Sequence, residues 1–543
     1  MMQPNRHCEN AKRSWQSILF CGFLLVLLCS CTKSHESHPR DTLRVDLGSE
    51  PATLDPQLAE DISASRVLFD LFAGLVDFDQ TNKVIPGLAS SYDVSPDGKT
   101  YTFHLRHHLK FSNGLPITAH DFVYSWSRVV DPDTASPYGF LLDNVVNGAA
   151  IIHGKLPPEA LGVSAPDRYT FVVHLVSPDP VFIRYCTRPN LMVVPENVIA
   201  RYGADWTKPQ HMVTSGAYTL KQHIVDGYIL VQKNPHYYDA ATVHIDRVKY
   251  IPYVDIHTAL DAYKAGDIDV ANVPLDATEQ MKRTHTKELH IVHLEGVYYL
   301  DYNMKLPLFA NNPKLRQALS MAIDRNVLVH DVLRQNQIPL YSFATSTIEG
   351  GKYSGLNYDW AKLTEDQRNT VAKQLYADSG YGPTNPLHIT ITYNTSELNK
   401  KVMLTIASMW EKSLGVKIDV KNRGWAVFIH ERRAGDYVMA RDGWLPDYDA
   451  ITGYTILYQC NGIQNRSHYC NPDYDALIRV AEANPKATEK QILYSNALRL
   501  AENDYPIIPL FEYTYTRVVK PYVKGYNIDA NYLDHVQSKW FSF

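Results

Sequence analysis

The chain has 543 residues, of which 45% are hydrophobic and 20% are charged, a balance that predicts a large folded core in two or three domains and excludes a disordered chain. Its net charge of −5 includes no basic block, which argues against nucleic acid as the main partner. The 36 tyrosines combine apolar area with a hydroxyl, which suits a polar ligand or an interface as well as a core.

The N-terminal residues have the pattern of a targeting segment. Three basic residues precede an apolar run of eleven residues, 18–28, which is too short to span a bilayer but suits the core of a signal peptide. The run ends in LCSC, which resembles a bacterial lipobox, a signal whose last cysteine, here Cys31, is lipidated after cleavage. We therefore expect a signal peptide over 1–30 and a lipid tether over 31–40. An ordinary signal peptide with a chance cysteine is the alternative.

Alternating and helical hydrophobic patterns follow one another along the rest of the chain. Strands are expected in TLRVDL and KTYTFHL, and in SGAYTL and GYILVQKN as a pair. Helices are expected in SASRVLFDLFAGL and in ITAHDFVYSWSRVV, whose Thr118 and Asp121 have capping-box spacing. In IHTALDAYKAGDIDV, a helix that stops at Gly266 and a strand after it are expected. One helix is expected over NNPKLRQALSMAIDRNVLVHDVL, with Pro313 in its first turn.

A strand–helix–strand unit is predicted by LHITITYN, NKKVMLTIASMWEKSLG and VKIDVKN, and it implies a parallel pair of strands. The next predicted strand, DYVMAR, leads into RDGWLPDYDA. Ligands of open α/β sheets gather at the carboxyl ends of strands. This position favours a ligand-binding role for Asp447 over the alternative, a carboxylate that caps its own turn.

Cysteine spacing predicts one disulfide. Cys460 and Cys470 flank the nine residues NGIQNRSHY, a loop that a disulfide closes readily in an oxidising compartment. A zinc site made of these two residues and His468 is the alternative, but it lacks a fourth ligand. Cys186 is expected to be a buried thiol.

The catalytic motifs that the sequence suggests are all incomplete. HERRA, from His430, lacks the second histidine of a zinc-protease helix, and Asp93 stands where a phosphate loop ending in GKT needs glycine. The S-x-x-K at Ser30 straddles the expected cleavage site. These gaps favour a binding protein over an enzyme, with a secreted hydrolase as the alternative.

Seven segments in order carry a resemblance to a known family: LGSEPATLDPQLAED, LKFSNGLPITAHDFVYSWSRVVDPDTASPY, SGAYTL with KNPHYYD, YKAGDIDV, LRQALSMAIDR, YNTSELNKK and ARDGWLPDYD. Together they resemble the peptide-binding family of ABC-transporter solute receptors, and the oligopeptide-binding branch most. The resemblance covers nearly all of the mature chain. It implies a two-lobed α/β fold of the periplasmic-binding-protein type II, in three segments, with a hinge and a central ligand cleft, and neither a cofactor nor a metal site.

The resemblance also implies a division into domains. Lobe I comprises 41–75, 197–300 and 515–543, with an additional domain over 76–196. Lobe II, 301–514, carries the loop that anchors the peptide.

The family's site residues carry over by position. Asp447 matches the aspartate that pairs with the α-ammonium of a bound peptide, and Trp444 and Tyr448 would hold its loop and shield the pair. We expect Asp442 and Asp449 to be turn and surface residues. Basic residues that meet peptide carboxylates are matched by Arg432 and Arg441, for which an internal ion pair is the alternative. Asn399 replaces a histidine found in some relatives, and the cleft-lining positions are Glu60, Ile62, Tyr138 and Tyr513.

The implied partners are short peptides and the permease of an ABC importer with its cytoplasmic ATPases. The protein is expected to be a monomer, exported to the periplasmic side of a bacterial membrane and held there only by lipid on Cys31. A receptor of the same fold for cell-wall muropeptides, metal chelates or haem is the alternative.

Overall fold

A computed structural model describes residues 41–446, 448–462, 464–484, 486–527 and 531–543. The expected signal peptide, the tether with Cys31, and Asp447 all lie outside these ranges. Within them, no helix is both long enough and apolar enough to cross a membrane.

The strands fall into one large sheet and two small ones. Their bounds are β1 Thr42–Asp46, β2 Val76–Phe78, β3 Val84–Pro86, β4 Ala89–Val94, β5 Thr100–Leu105, β6 Val163–Asp167, β7 Thr170–His174, β8 Tyr218–Ile224, β9 Tyr228–Lys233, β10 Arg247–Ile251, β11 Val270–Asn272, β12 Leu289–Tyr302, β13 Ile338–Pro339, β14 His388–Asn394, β15 Lys417–Arg423, β16 Met439–Trp444 and β17 Ile507–Val519. The large sheet has the order β15-β14-β16-β12-β17-β11-β1-β10-β9-β8, with β13 beside β17. The small sheets are β2-β3 and β4-β5-β7-β6.

The two longest strands, β12 and β17, belong to both halves of the large sheet. Leu289 lies opposite Val518 at one end of the pair, and Asp301 lies opposite Ile507 at the other. The register shifts between His293 and Val297, an irregularity that bends a strand locally. Side chains before the shift pack in one hydrophobic core and side chains after it pack in another. This antiparallel pair therefore connects two lobes of a mixed α/β fold.

Three hydrophobic cores account for most of the buried apolar side chains. The first joins residues of 43–78 to residues of 192–294 and of the C-terminal 519–541, and the second is built within 75–193. The third lies within 297–511. Because Phe78 and Met192 pack in the first core, the proposed boundary of the additional domain passes through packed side chains.

The helices lie between these strands. Their bounds are α1 Ile62–Leu71, α2 Ala119–Val130, α3 Gly148–Ile152, α4 Phe182–Tyr185, α5 Glu196–Tyr202, α6 Ile256–Ala265, α7 Thr278–Thr284, α8 Pro307–Ala310, α9 Pro313–Met321, α10 Ile348–Gly351, α11 Glu365–Asp378, α12 Glu397–Leu414, α13 Trp425–Ala434, α14 Thr452–Thr455, α15 Pro472–Ala483 and α16 Ala487–Asp504. The capping box of Thr118 and Asp121 is present at the start of α2. Gly266 ends α6 with a left-handed φ of 85°, a conformation that glycine adopts at little cost.

The single helix predicted from Pro313 onward is two helices. The α-helix α9 ends at Met321, and a π-helix over Val327–Leu333 follows it. Arg325 lies between these two helices. It is fully buried and donates hydrogen bonds to the carbonyl oxygens of Leu340 and Pro509. Burying a guanidinium requires such partners.

Candidate functional site

Three parallel strands end at one edge of lobe II. β14 is parallel to both β15 and β16, so the strand–helix–strand unit predicted from the sequence is present, with α12 as its helix. Asn394 and Arg423 end β14 and β15, and Trp444 ends β16. β16 runs further than predicted and includes Asp442. The carboxyl ends therefore bring the sequence-predicted residues around Arg441 next to those around Asn399.

Arg441 is held by neutral groups. Its Nη1 donates to Asn394 Oδ1 at 3.2 Å, and its Nη2 donates to the hydroxyl of Tyr513. The guanidinium carbon lies 4.6 Å from the ring centre of Tyr298, a cation–π contact. The buried Nε has no hydrogen-bond partner among the described residues. Two predicted site residues, Arg441 and Tyr513, are thus in direct contact, and one buried donor is left for an acceptor.

Asn399, near the start of α12, extends this network. It is 2% exposed, and its Nδ2 donates to Asn394 Oδ1 at 3.0 Å and to the Asn394 carbonyl at 3.2 Å. Its Oδ1 accepts from the Tyr298 hydroxyl at 2.9 Å. Both ends of the amide therefore have protein partners, and Asn399 acts on Arg441 through Asn394.

Arg432, on α13, forms a buried ion pair with Asp442. Its Nη2 also lies 3.5 Å from Oδ2 of Asp301, and the Tyr299 hydroxyl donates to Asp442 Oδ2 at 2.9 Å. Burial, and then the negative charge of Asp442, raise the pKa of Asp301 well above its usual range, although the guanidinium of Arg432 opposes the shift. The internal ion pair is thus the arrangement observed for Arg432. The expectation that Asp442 lies in a surface turn is wrong, because the residue is in β16 and its carboxylate is sequestered by Arg432.

The residues around Asp447 contact several other parts of the fold. Trp444 donates from Nε1 to the Gly453 carbonyl at 2.6 Å. Tyr448 is 7% exposed, and its ring lies 4.7 Å from that of Tyr185 in an edge-to-face contact. Asp449 is ion-paired and its side chain is only 14% exposed, so the expectation that it is a surface residue is also wrong. The segment beside Asp447 is therefore packed and bonded on both sides.

The predicted positions on the other side of the cleft are more exposed. Glu60 is exposed, and Ile62, the first residue of α1, is 56% exposed. Tyr138 is half-buried, with the guanidinium carbon of Arg188 5.5 Å from its ring centre. Exposed apolar and aromatic surface of this kind is available to contact a ligand.

The cysteine pair and the thiol lie away from this network. Cys460 and Cys470 form a disulfide with Cα atoms 4.5 Å apart, so their sulfurs bond to each other and not to a metal. Cys186 is a free, buried thiol, and burial raises its pKa. Among the described residues, no group of three His, Cys, Asp or Glu side chains is placed to hold a metal ion.

The sequence interpretation missed two features around Asp449. One is the ion pair of Arg184 with Asp449. The two residues are 265 positions apart, so no local sequence pattern predicts that they meet. The other is a pair of buried carboxyl groups, Glu295 and Glu512, each 1% exposed and each with one oxygen that has no hydrogen-bond partner among the described residues. Burial raises the pKa of Glu295 to about 7. Each glutamate lies in a strand whose other residues are mostly apolar, and this pattern could have identified both as buried acids.

Two α/β lobes joined by a shared strand pair, with polar side chains gathered at strand ends between them, define a solute-binding protein. The family model of the bacterial extracellular solute-binding proteins, family 5 (middle), matches residues 83–465. The chain belongs to this family, which is one of binding proteins and not of enzymes.

Several characterised proteins are similar over nearly their whole length. The periplasmic oligopeptide-binding protein OppA of Salmonella typhimurium is 35% identical over 522 residues, 94% of this chain and 95% of that protein. OppA of Haemophilus influenzae is 38% identical over 489 residues, 89% of this chain and 90% of that protein. The crystal structure of the Haemophilus protein in complex with RPPGFSPFR superposes with a TM-score of 0.84 at 36% identity, over 93% of this chain and 99% of that one.

A third relative has been solved in two forms. The Escherichia coli murein tripeptide binding protein MppA superposes with a TM-score of 0.85 at 32% identity, over 93% of this chain and 99% of that one. The unliganded open form of MppA superposes with a TM-score of 0.75, also at 32% identity, over 93% of this chain and 98% of that one. The lobes described here therefore lie closer to the first arrangement than to the open one.

Proposed function

We propose that this protein binds short peptides between its lobes and delivers them to an ABC importer. The observation that carries the proposal is the buried Nε of Arg441, a donor without a described partner at the carboxyl edge of lobe II. A peptide supplies carbonyl and carboxylate acceptors, and its main chain binds in a sequence-independent way. The relatives named as oligopeptide-binding proteins support the same class of ligand.

Asp447 is the proposed partner of the peptide's α-ammonium. In the sequence it follows Pro446 and lies between Trp444 and Tyr448, which are held by the contacts described above. A carboxylate in a closed, low-dielectric cleft requires a compensating charge, and the peptide's amino end provides it. Side-chain selectivity is then low, and selectivity for a free amino end is high.

The proposed location is outside the cytoplasm, at the periplasmic face of a bacterial membrane. The short apolar run and the LCSC sequence support export followed by lipidation of Cys31. The similar proteins from Salmonella and Haemophilus are named as periplasmic. The protein acts as a monomer that presents its loaded form to the permease.

A two-by-two calorimetric experiment tests the anchor. The wild type and Asp447→Asn are each titrated with trialanine and with N-acetyl-trialanine. Removing one partner of a buried charge pair costs about 3–5 kcal/mol, so we expect the substitution to weaken trialanine binding on the order of 100-fold or more. Acetylation should weaken binding to the wild type by a similar factor and change little further in the variant. Equal losses on acetylation in both proteins would remove Asp447 from this role.

A cell-wall muropeptide is the second candidate ligand. The observation in its favour is the TM-score of 0.85 with a protein named for murein tripeptide binding. Native mass spectrometry of the protein as purified distinguishes the two, because a muropeptide contains diaminopimelate or amino sugars and has masses that ordinary peptides lack. A mixture of ordinary peptides favours the first proposal.

A further inference from the structure

Arg184 reaches from the additional domain to the loop of lobe II that carries Asp447. It belongs to the short helix α4, whose neighbours Phe182 and Cys186 pack in the core built within 75–193. Its Nη1 lies 2.9 Å from Oδ2 of Asp449 and also donates to the Asp449 main-chain carbonyl. One guanidinium therefore binds both the side chain and the backbone of a residue two positions after Asp447.

A second contact accompanies the ion pair. Tyr185, next to Arg184, meets Tyr448 edge-to-face at 4.7 Å between ring centres. Two consecutive residues of the additional domain thus contact two consecutive residues of lobe II. Aromatic pairs in this geometry add stabilisation beyond the area that they bury.

Lobe II holds the same segment from the other side. The main-chain N–H of Glu349 donates to Asp449 Oδ1 at 2.6 Å, and Glu349 Oε1 accepts from the Ile451 N–H at 2.9 Å. Asp449 therefore uses one carboxylate oxygen within its own lobe and the other across the cleft. The contacts within lobe II are independent of the lobe angle, whereas the contact with Arg184 depends on it.

We propose that Arg184 is a positioning residue for peptide binding: its ion pair with Asp449 forms when the lobes close and fixes segment 448–451 around the amino end of the bound peptide. The inference rests on the proposed function. An interaction present in only one of two conformations shifts the equilibrium toward that conformation. Here it favours the closed form, in agreement with the higher TM-scores to the peptide complex and to the first MppA structure than to the open form. Peptide release requires opening, so the pair slows dissociation.

The exposure of the two side chains sets the size of the effect. Arg184 is 38% exposed and Asp449 is 14% exposed, which places the pair between a surface ion pair and a buried one. We expect its loss to raise the peptide dissociation rate constant roughly fivefold. The association rate constant should change less than about twofold, because encounter takes place with the open form.

Stopped-flow kinetics with trialanine test the inference on the wild type, the single variants Arg184→Gln, Arg184→Lys and Asp449→Asn, the double variant Arg184→Gln/Asp449→Asn, and one control. Arg184→Gln and Asp449→Asn should each accelerate dissociation, and the double variant should be no faster than either one, because both remove the same contact. Arg184→Lys keeps the charge and should retain part of the effect. The control is Lys486→Gln, which removes a pair of similar length, 2.8 Å to Glu489, within lobe II.

The outcomes separate the inference from the proposed function. If the wild type binds no peptide, the proposed function fails and the inference fails with it. If the wild type binds and Arg184→Gln dissociates at the rate of the control, the inference alone is overturned. It is also overturned if Arg184→Gln lowers the melting temperature of the peptide-free protein by more than the control does, since Arg184 would then serve stability and not closure.

Discussion

Arg432 and Asp442 form an ion pair inside lobe II, with side chains only 5% and 8% exposed. The second carboxyl group nearby, Asp301, is 2% exposed. Both carboxyl groups therefore lie away from bulk water, and Arg432 is the cation in direct contact with them.

Replacing Arg432 with methionine should destabilise the protein by about 3–5 kcal/mol at pH 7.5, because it leaves two buried carboxyl groups without their cation. The loss should be smaller at pH 4.5, because the raised pKa of Asp301 favours its neutral form there. Urea unfolding at both pH values measures it. The control, Arg423→Met, removes a half-exposed pair with Glu431 at 2.8 Å and should cost no more than about 1 kcal/mol. Equal costs for the two variants would show that the buried triad is no more important than a surface pair.

Glu295→Gln should make the protein more stable at pH 8 but not at pH 4. Burial raises the pKa of Glu295 from its usual 4.5 to about 7, so the folded chain binds this proton more tightly than the unfolded chain. Stability is then lost as the pH rises from 4.5, and the loss is complete above about 7. The shift corresponds to about 3 kcal/mol, which glutamine, a neutral mimic of the protonated acid, should recover at pH 8.

Unfolding free energies of wild type and Glu295→Gln across pH 4–8 test this. Glu489→Gln is the control, because Glu489 is exposed and its hydrogen bonds with Lys486 and Asn484 lower its pKa. This control should show no stabilisation at pH 8. A difference between Glu295→Gln and wild type that does not vary with pH would contradict the assignment.

Removing the bond between Cys460 and Cys470 should cost about 2–4 kcal/mol, because the cross-link closes a short loop in the unfolded chain. The two cysteines are ten positions apart. The double variant with serine at both positions, compared with wild type in urea, measures the loss. Alkylation of both cysteines in the native protein without reductant would show instead that they are free thiols.

Cys31→Ala should release the protein from the membrane fraction or leave its signal peptide uncleaved. The substitution removes the residue that would carry the lipid, and attachment by lipid needs more than one acyl chain. Fractionation together with intact-mass measurement tests it. Normal processing and unchanged membrane attachment would exclude Cys31 as the lipidation site.

Local patterns predicted the parts of this fold that local forces decide. The alternation in LHITITYN and the glycine at 415 were sufficient to place β14, α12 and β15, and with them the strand end that holds Asn394. Arg441, Asn399 and Tyr513 were predicted as site residues from the resemblance, and their joint hydrogen-bond network appears only in the folded chain.

Long-range partners decided what the sequence could not show. Aspartate is common in turns, which is why a turn was expected at Asp442. In the structure Asp442 lies opposite Tyr299 in the sheet and is buried beside Arg432. Arg325 lies where the predicted helix is interrupted, and it donates to a carbonyl group as far away in sequence as that of Pro509. In both cases a charged side chain follows partners that are distant in sequence, and hydrophobic periodicity carries no information about them.

The place of β17 in the sheet has a consequence for how the chain reaches its native state. β17 is hydrogen-bonded to β12 on one side and to β11 on the other, with Val270 opposite Val519. Without this strand, the large sheet is two separate half-sheets, one of β1 and β8 to β11 and the other of β12, β14, β15 and β16. Strands this distant in sequence pair late and slowly, because the entropy of closing the long loop between them is lost before their contacts can offset it. β17 is thus the strand that completes the large sheet, so a nascent chain stays incompletely folded until the residues up to Val519 have been synthesised.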